Sequence, residues 1–353
     1  MKVLSKAMLS ASSKVIFALY VFLIFHTIEV TASNGTIPAL FAFGDSILDT
    51  GNNNNLNTLS KCNFPPYGRD FPGHIATGRF GNGKVFSDIF SEGLGIKDLL
   101  PAYLDPTLQS TDLPTGVCFA SGGSGLDELT ARAQSILSRT DQFKKFQEYV
   151  GKLEGVVGSE KAKDIISNAL FLFSAGNNDL AINYFSLHLR PEYDINSYTS
   201  LLVSWASSFI KDLYGLGARR FAFMSTLPLG CLPAARIAAG GLCAEIINQA
   251  AMLFNSKLES EINNLKGSLP GAKLVFVDVY NPLLELIQNP HGSGFDVATT
   301  GCCGSGVAET CNQLTPFTCS DPSNYVFWDS AHPSEKAYRT IVPEVLQKYQ
   351  SGF

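Results

Sequence analysis

Residues 39–54 read ALFAFGDSILDTGNNN. Ala39 to Phe43 are apolar without alternation, and Gly44-Asp45-Ser46 follows at once. A strand exposed on one face would alternate polar with apolar. An unbroken run fits a strand buried on both faces, as in a parallel sheet covered by helices. Four further runs share this character: Gly116 to Ala120, Leu170 to Ser174, Arg220 to Ser225 and Lys273 to Val279. Between them lie helix-compatible stretches such as Asp141 to Val150, Asn196 to Leu216 and Glu245 to Leu265. Strand and helix in alternation specify a doubly wound α/β domain. The sequence shows no low-complexity linker or internal repeat across residues 35–353, so one domain is expected there.

Composition narrows the class. Lys and Arg total 26 against 31 Asp and Glu, a net charge of −5, and apart from the pairs Lys144-Lys145 and Arg219-Arg220 there is no cluster of cations. Nucleic acid is therefore not an expected partner. Apolar residues make up 45% and charged residues 16%, which supplies a large core and excludes general disorder.

The N-terminus has Lys2, Lys6 and Lys14 before the apolar run Val15 to Phe25, then Val30-Thr31-Ala32. That order predicts a secretory signal over residues 1–32, cleaved after about Ala32, ahead of a domain at 33–353. His26 and Glu29 interrupt the run too early for a spanning helix, so no transmembrane anchor is expected. Export to the extracellular space agrees with the cysteines. Seven of the eight lie in loop sequence, which predicts disulfides: Cys231 with Cys243, and local pairing among Cys302, Cys303, Cys311 and Cys319. Cys118, in a strand-like run, is expected to be a free core thiol. The vicinal Cys302-Cys303 lacks C-x-x-C spacing, which argues against zinc. Asn34-Gly35-Thr36 is a glycosylation acceptor sequence, marking Asn34.

Open α/β sheets place their chemistry at the carboxyl ends of strands. Ser46 stands there after the first strand, as a candidate nucleophile or an ordinary helix N-cap. No G-x-S-x-G elbow occurs in the chain, so an acting Ser46 needs another arrangement. Asp329 and His332 are three residues apart, close enough for the carboxylate to fix the imidazole tautomer and free the other ring nitrogen as a base. His74, His188 and His291 have no acid at that offset. Ser121-Gly122-Gly123-Ser124-Gly125 and Gly176-Asn177-Asn178-Asp179 follow the second and third runs. They offer backbone and amide donors for an oxyanion beside the Ser46 N–H, or simply turns. The tract Asn52 to Asn55 reads as a turn.

Taken in order, FAFGDSILDTGNNN (41–54), FASGGSG (119–125), AGNND (175–179) and DSAHP (329–333) resemble the four blocks of the plant GDSL esterase/lipases of the SGNH hydrolase superfamily. The resemblance extends over 37–349, including ATGRFGNGK (76–84) and YGLGARR (214–220), and the extracellular-lipase branch is nearest. It implies a flavodoxin-like three-layer α/β/α sandwich around a five-stranded parallel sheet. It also implies that Ser46 is the nucleophile, His332 the general base and Asp329 its partner, with Ser46, Gly122 and Asn178 holding the oxyanion. The chain departs from the family pattern in having Cys118 where Asn is common. The glycine is an alignment choice in which Gly122, directly after Ser121, is preferred to Gly123.

The implied activity is a secreted serine hydrolase of lipid or acyl esters in the cell wall or apoplast, working through an acyl-enzyme with no metal or organic cofactor. Acyl transfer to cutin or lipid hydroxyls, or a silent wall-binding role, are the alternatives. Such a site needs neutral His332, so activity should fall as pH drops through the imidazole pKa, near 6.5 when unperturbed.

Overall fold

Strand β1 (Leu40–Gly44) is buried along its whole length, as is β2 (Leu170–Ser174), and β3 (Arg220–Met224) is buried beyond its first residue. With β4 (Lys273–Val277) they form a parallel sheet in the order β1-β2-β3-β4. These strands belong to a computed structural model that describes residues 37–304, 310–311 and 317–353. The expected signal segment 1–32 and the Asn34 acceptor lie outside the described residues.

The register explains why the runs are so rich in Phe. Phe41 pairs with Phe171 and Phe171 with Phe221; one step of two residues on, Phe43 pairs with Phe173 and Phe173 with Phe223. Alternate residues of a strand share a face, so these six rings line one side of the sheet. Phe173 stacks on Phe223 at 5.2 Å and on Phe43 at 5.6 Å between ring centroids. Phe146 and Tyr149 of helix Arg139–Val157, and Phe209 of helix Ile195–Gly215, close over that face edge-on. Elsewhere, helices Phe86–Gly93 and Glu335–Tyr349 pack on each other, with Phe86 against Tyr338. The architecture is the expected α/β sandwich with a parallel sheet.

The strand count differs from the expectation of five. Gly116 to Ala120 runs beside β1, but it makes only single parallel bridges, Cys118 to Ala42 and to Ala102. The reason is local competition for its polar groups. The Asn52 amide donates to the carbonyls of Cys118 and Ala120, and the segment at 101–103 takes the Cys118 N–H and C=O. The segment is thus an irregular fifth strip on a four-stranded sheet.

A second, two-stranded parallel sheet joins β5 (Val297–Gly301) to β6 (Tyr325–Phe327), which leads directly into the Asp329–His332 turn. Disulfides Cys302–Cys319 and Cys303–Cys311 pin this region, and Cys231–Cys243 closes the loop after β3. Cys118 is a buried free thiol as expected, whereas Cys62, one of the seven loop cysteines expected to form disulfides, is also a buried free thiol, its neighbours Cys302, Cys303 and Cys311 being bonded elsewhere.

Arg79 fastens the loop after β1 to its surroundings. Its guanidinium meets both oxygens of Asp88 at 2.7 and 2.8 Å and also donates to the carbonyls of Thr50 and Leu100. The two side chains are only 7% and 0% exposed. Removing one partner of such a pair strands the other charge away from water. Arg79→Met is therefore expected to lower the unfolding free energy by about 3–5 kcal/mol, read from the shift in the urea midpoint.

Candidate active site

The turn after β1 is built around glycine and aspartate. Gly44 has φ +118°, and a Cβ there would overlap the Ser174 carbonyl of β2, so only glycine lets the two strand ends approach. Asp45 turns inward. Its Oδ1 accepts from the Ile47 N–H at 3.1 Å and the Ser174 hydroxyl at 2.8 Å, and its Oδ2 from the Asn177 amide at 2.8 Å. Asp45 thereby closes a turn rather than capping a helix, since none begins directly after β1, and the Ser46 side chain is left to face His332.

Ser46 Oγ lies 2.8 Å from His332 Nε2, although 286 positions separate them. His332 Nδ1 lies 2.8 Å from Asp329 Oδ1 and 2.9 Å from Oδ2. The carboxylate is itself fixed: Oδ1 accepts from the Ala331 and His332 N–H groups, and Oδ2 from the Tyr67 hydroxyl at 2.8 Å. Tyr67 was not visible as a site residue in the sequence. It stands 262 positions from Asp329, and no local pattern links them. The Phe80 ring packs 5.2 Å from the His332 ring, and Ser46, His332 and Asp329 are 7%, 5% and 0% exposed.

Donors gather on the other side of Ser46. The N–H groups of Ser46 and Gly123 donate to no protein acceptor among the described residues. The Asn178 amide gives one hydrogen to the Ser124 carbonyl at 2.8 Å and keeps a second. Its neighbour Asn177 is consumed structurally, bonded to Asp45 and to the Leu227 N–H.

Gly122, expected as the glycine donor, does not fill that place. Its N–H is committed to Asp49 Oδ2 at 2.8 Å, its position abuts Phe80, and it is Gly123 that lines the cleft. The Asn52–Asn55 tract is a short 3₁₀ turn, as expected of a turn sequence, but Asn53 also reaches the Gly122 carbonyl and helps to hold the glycine loop.

These groups border a narrow cleft open to solvent, with Ile47, Ala181, Leu227, Leu229 and Leu232 as its apolar wall. Among the described residues no three His, Cys, Asp or Glu are grouped to hold a metal, and no helix is long and apolar enough to cross a membrane.

A hydroxyl, imidazole and carboxylate thus stand in line at the carboxyl edge of a parallel sheet, beside free N–H donors and without a G-x-S-x-G elbow, an arrangement in which the imidazole can take the hydroxyl proton. Comparison with known proteins gives the family. The GDSL-like lipase/acylhydrolase family matches residues 40–345. Similar Arabidopsis thaliana proteins include GDSL esterase/lipase At1g23500, 59% identical over 88% of this chain and 89% of its own. GDSL esterase/lipase At5g63170 is 57% identical over 90% and 93%, and GDSL esterase/lipase EXL3 is 48% identical over 90% and 89%. The chain belongs to the GDSL lipase/acylhydrolase family and is a carboxylic ester hydrolase.

Three carboxylates hold the loops of this site. Burial pushes Asp45, Asp49 and Asp179 each up to about 6, against hydrogen bonds that lower them. A folded-state pKa above the unfolded value means the native protein binds these protons more tightly. Stability from them is present at low pH and is lost as pH rises from about 4 to about 6. Asp127 is held low by the Arg190 guanidinium despite burial, and its contribution fades only below that window. Unfolding free energy at pH 5 should exceed that at pH 7.5 by on the order of 1 kcal/mol per raised carboxyl. Denaturant titration at the two pH values checks this, and greater stability at pH 7.5 would contradict it.

Proposed function

We propose that the protein is a secreted serine hydrolase that cleaves lipid or other acyl esters through an acyl-enzyme on Ser46. The observation that carries this reading is the 2.8 Å contact from Ser46 Oγ to His332 Nε2, continued to Asp329. Ser46 Oγ attacks the ester carbonyl carbon while His332 Nε2 accepts the hydroxyl proton, and Asp329 stabilises the imidazolium. Negative charge moves onto the carbonyl oxygen, where the N–H groups of Ser46 and Gly123 and the free hydrogen of Asn178 receive it. Collapse expels the alcohol, which takes the proton from His332. Water then attacks the acyl carbon with His332 again as base, and the acid and free Ser46 are released.

The Leu227, Leu229 and Leu232 wall supports an acyl chain as the group held beside Ser46. Export is supported by the basic and apolar N-terminal pattern and by three disulfides, which persist in oxidising compartments.

Hydrolysis of p-nitrophenyl esters from acetyl to palmitoyl tests the reading. Ser46→Ala should lose at least about 10³-fold in kcat and all labelling by a fluorophosphonate probe. Asn178→Ala should lose about 10²–10³-fold, the size of one oxyanion donor. Activity should fall on acidification as His332 becomes charged. Undiminished turnover by Ser46→Ala would remove the serine mechanism.

A further inference from the structure

We propose that Tyr67 is a positioning residue of the hydrolase site, its hydroxyl holding the Asp329 carboxylate in the orientation that aligns His332 on Ser46. The inference rests on the Ser46, His332 and Asp329 reading above.

The direction of the hydrogen bonds is forced. Tyr67 Oη lies 2.9 Å from the Cys311 backbone nitrogen and 2.8 Å from Asp329 Oδ2. A backbone N–H can only donate, so the phenol oxygen accepts there and its one hydrogen is left for the carboxylate. Tyr67 is 1% exposed, and its ring is wedged edge-on between Phe64 at 5.5 Å and Trp328 at 6.1 Å. The hydroxyl therefore has one position. Cys311 is held in turn by its disulfide to Cys303, whose N–H donates to the Trp328 carbonyl next to Asp329. The carboxylate, the phenol and the disulfide close a ring, and this ring fixes the plane of the carboxylate.

Two effects follow. Without the phenol hydrogen, Oδ2 keeps only its shared contact to His332 Nδ1, and the carboxylate is freer to rotate. The phenol also draws negative charge away from Asp329, so its loss leaves more charge facing the imidazole and raises the basicity of His332. The titratable groups around the pair are Asp45, Cys62, Tyr67 and Tyr338. Burial, with the Asp329 charge added, pushes the Tyr67 hydroxyl far above its ordinary range and keeps it a donor throughout the working pH range.

The test is Tyr67→Phe in the secreted, disulfide-intact protein, assayed with p-nitrophenyl butyrate across pH and normalised to fluorophosphonate-titrated sites in every variant that keeps Ser46, and to folded protein by circular dichroism in Ser46→Ala. Ser46→Ala, Asp329→Asn and the Tyr67→Phe/Asp329→Asn double variant are run alongside. The expected result is a fall in kcat of about tenfold with KM little changed, the effect of one hydrogen bond to a charged group. The acid limb of kcat/KM should move up by about half a pH unit. In the Asp329→Asn background, Tyr67→Phe should cost almost nothing further, because the group it positions has lost its charge. A merely structural tyrosine would leave the acid limb in place and give the same loss in both backgrounds. Either result, or wild-type kcat and pH profile in Tyr67→Phe, overturns the proposal while an inactive Ser46→Ala leaves the serine mechanism standing. An active Ser46→Ala overturns both.

Discussion

Carboxylates buried among backbone N–H groups are the constraint on which the site depends. Loops that leave the carboxyl edge of a covered parallel sheet bring donors that water cannot reach, and each must find an acceptor. Asp45 ties the turn after β1 to Ser174 and Asn177 at the end of β2. Asp49 takes the N–H groups of Gly51, Asn52 and Gly122, joining the β1 loop to the glycine loop. Asp179 takes those of Leu126 and Asp127 and the Thr130 hydroxyl, joining the end of β2 to the same stretch of chain. The three ties make the loops around Ser46 one rigid body. Their cost is visible in carboxyls pushed up to about 6 by burial.

Beneath that layer the sheet supplies stiffness. Six phenylalanines in matched register form a stacked face closed by further aromatic rings, and such packing leaves little room for a strand to slide. A slip of β1 by one residue would turn Phe41 and Phe43 to the other face and displace Ser46 from His332. The position of the hydroxyl is thus set by core packing several residues upstream of it.

Much of this could be read in the chain. Strands announced themselves because burial on both faces leaves no polar alternation, and Ser46, Asn178, Asp329 and His332 sit in short polar strings after strands or on the final turn, of which only the Asp329–His332 contact is local in sequence. The fifth strand was overestimated because Asn52 and residues 101–103 take its polar groups, and these lie far from it in sequence. The choice between Gly122 and Gly123 depends on which N–H Asp49 captures, a fact of three-dimensional placement that adjacency to Ser121 cannot reveal. Tyr67 and Cys62 were illegible for the same reason: each finds its surroundings on a segment more than two hundred residues away.

The distance along the chain from Ser46 to His332 also bears on how the protein is made. On the proposed mechanism, a polypeptide emerging from synthesis presents its nucleophile first and its base near the end. For most of its production the serine has no partner, and the donors after β2 arrive long before anything can deprotonate it. On that mechanism, hydrolytic competence requires the segment that carries His332, which lies directly ahead of the long C-terminal helix Glu335–Tyr349. A chain shortened before residue 332 would lack the proposed base and with it helix Glu335–Tyr349, whose buried face completes the core against helix Phe86–Gly93.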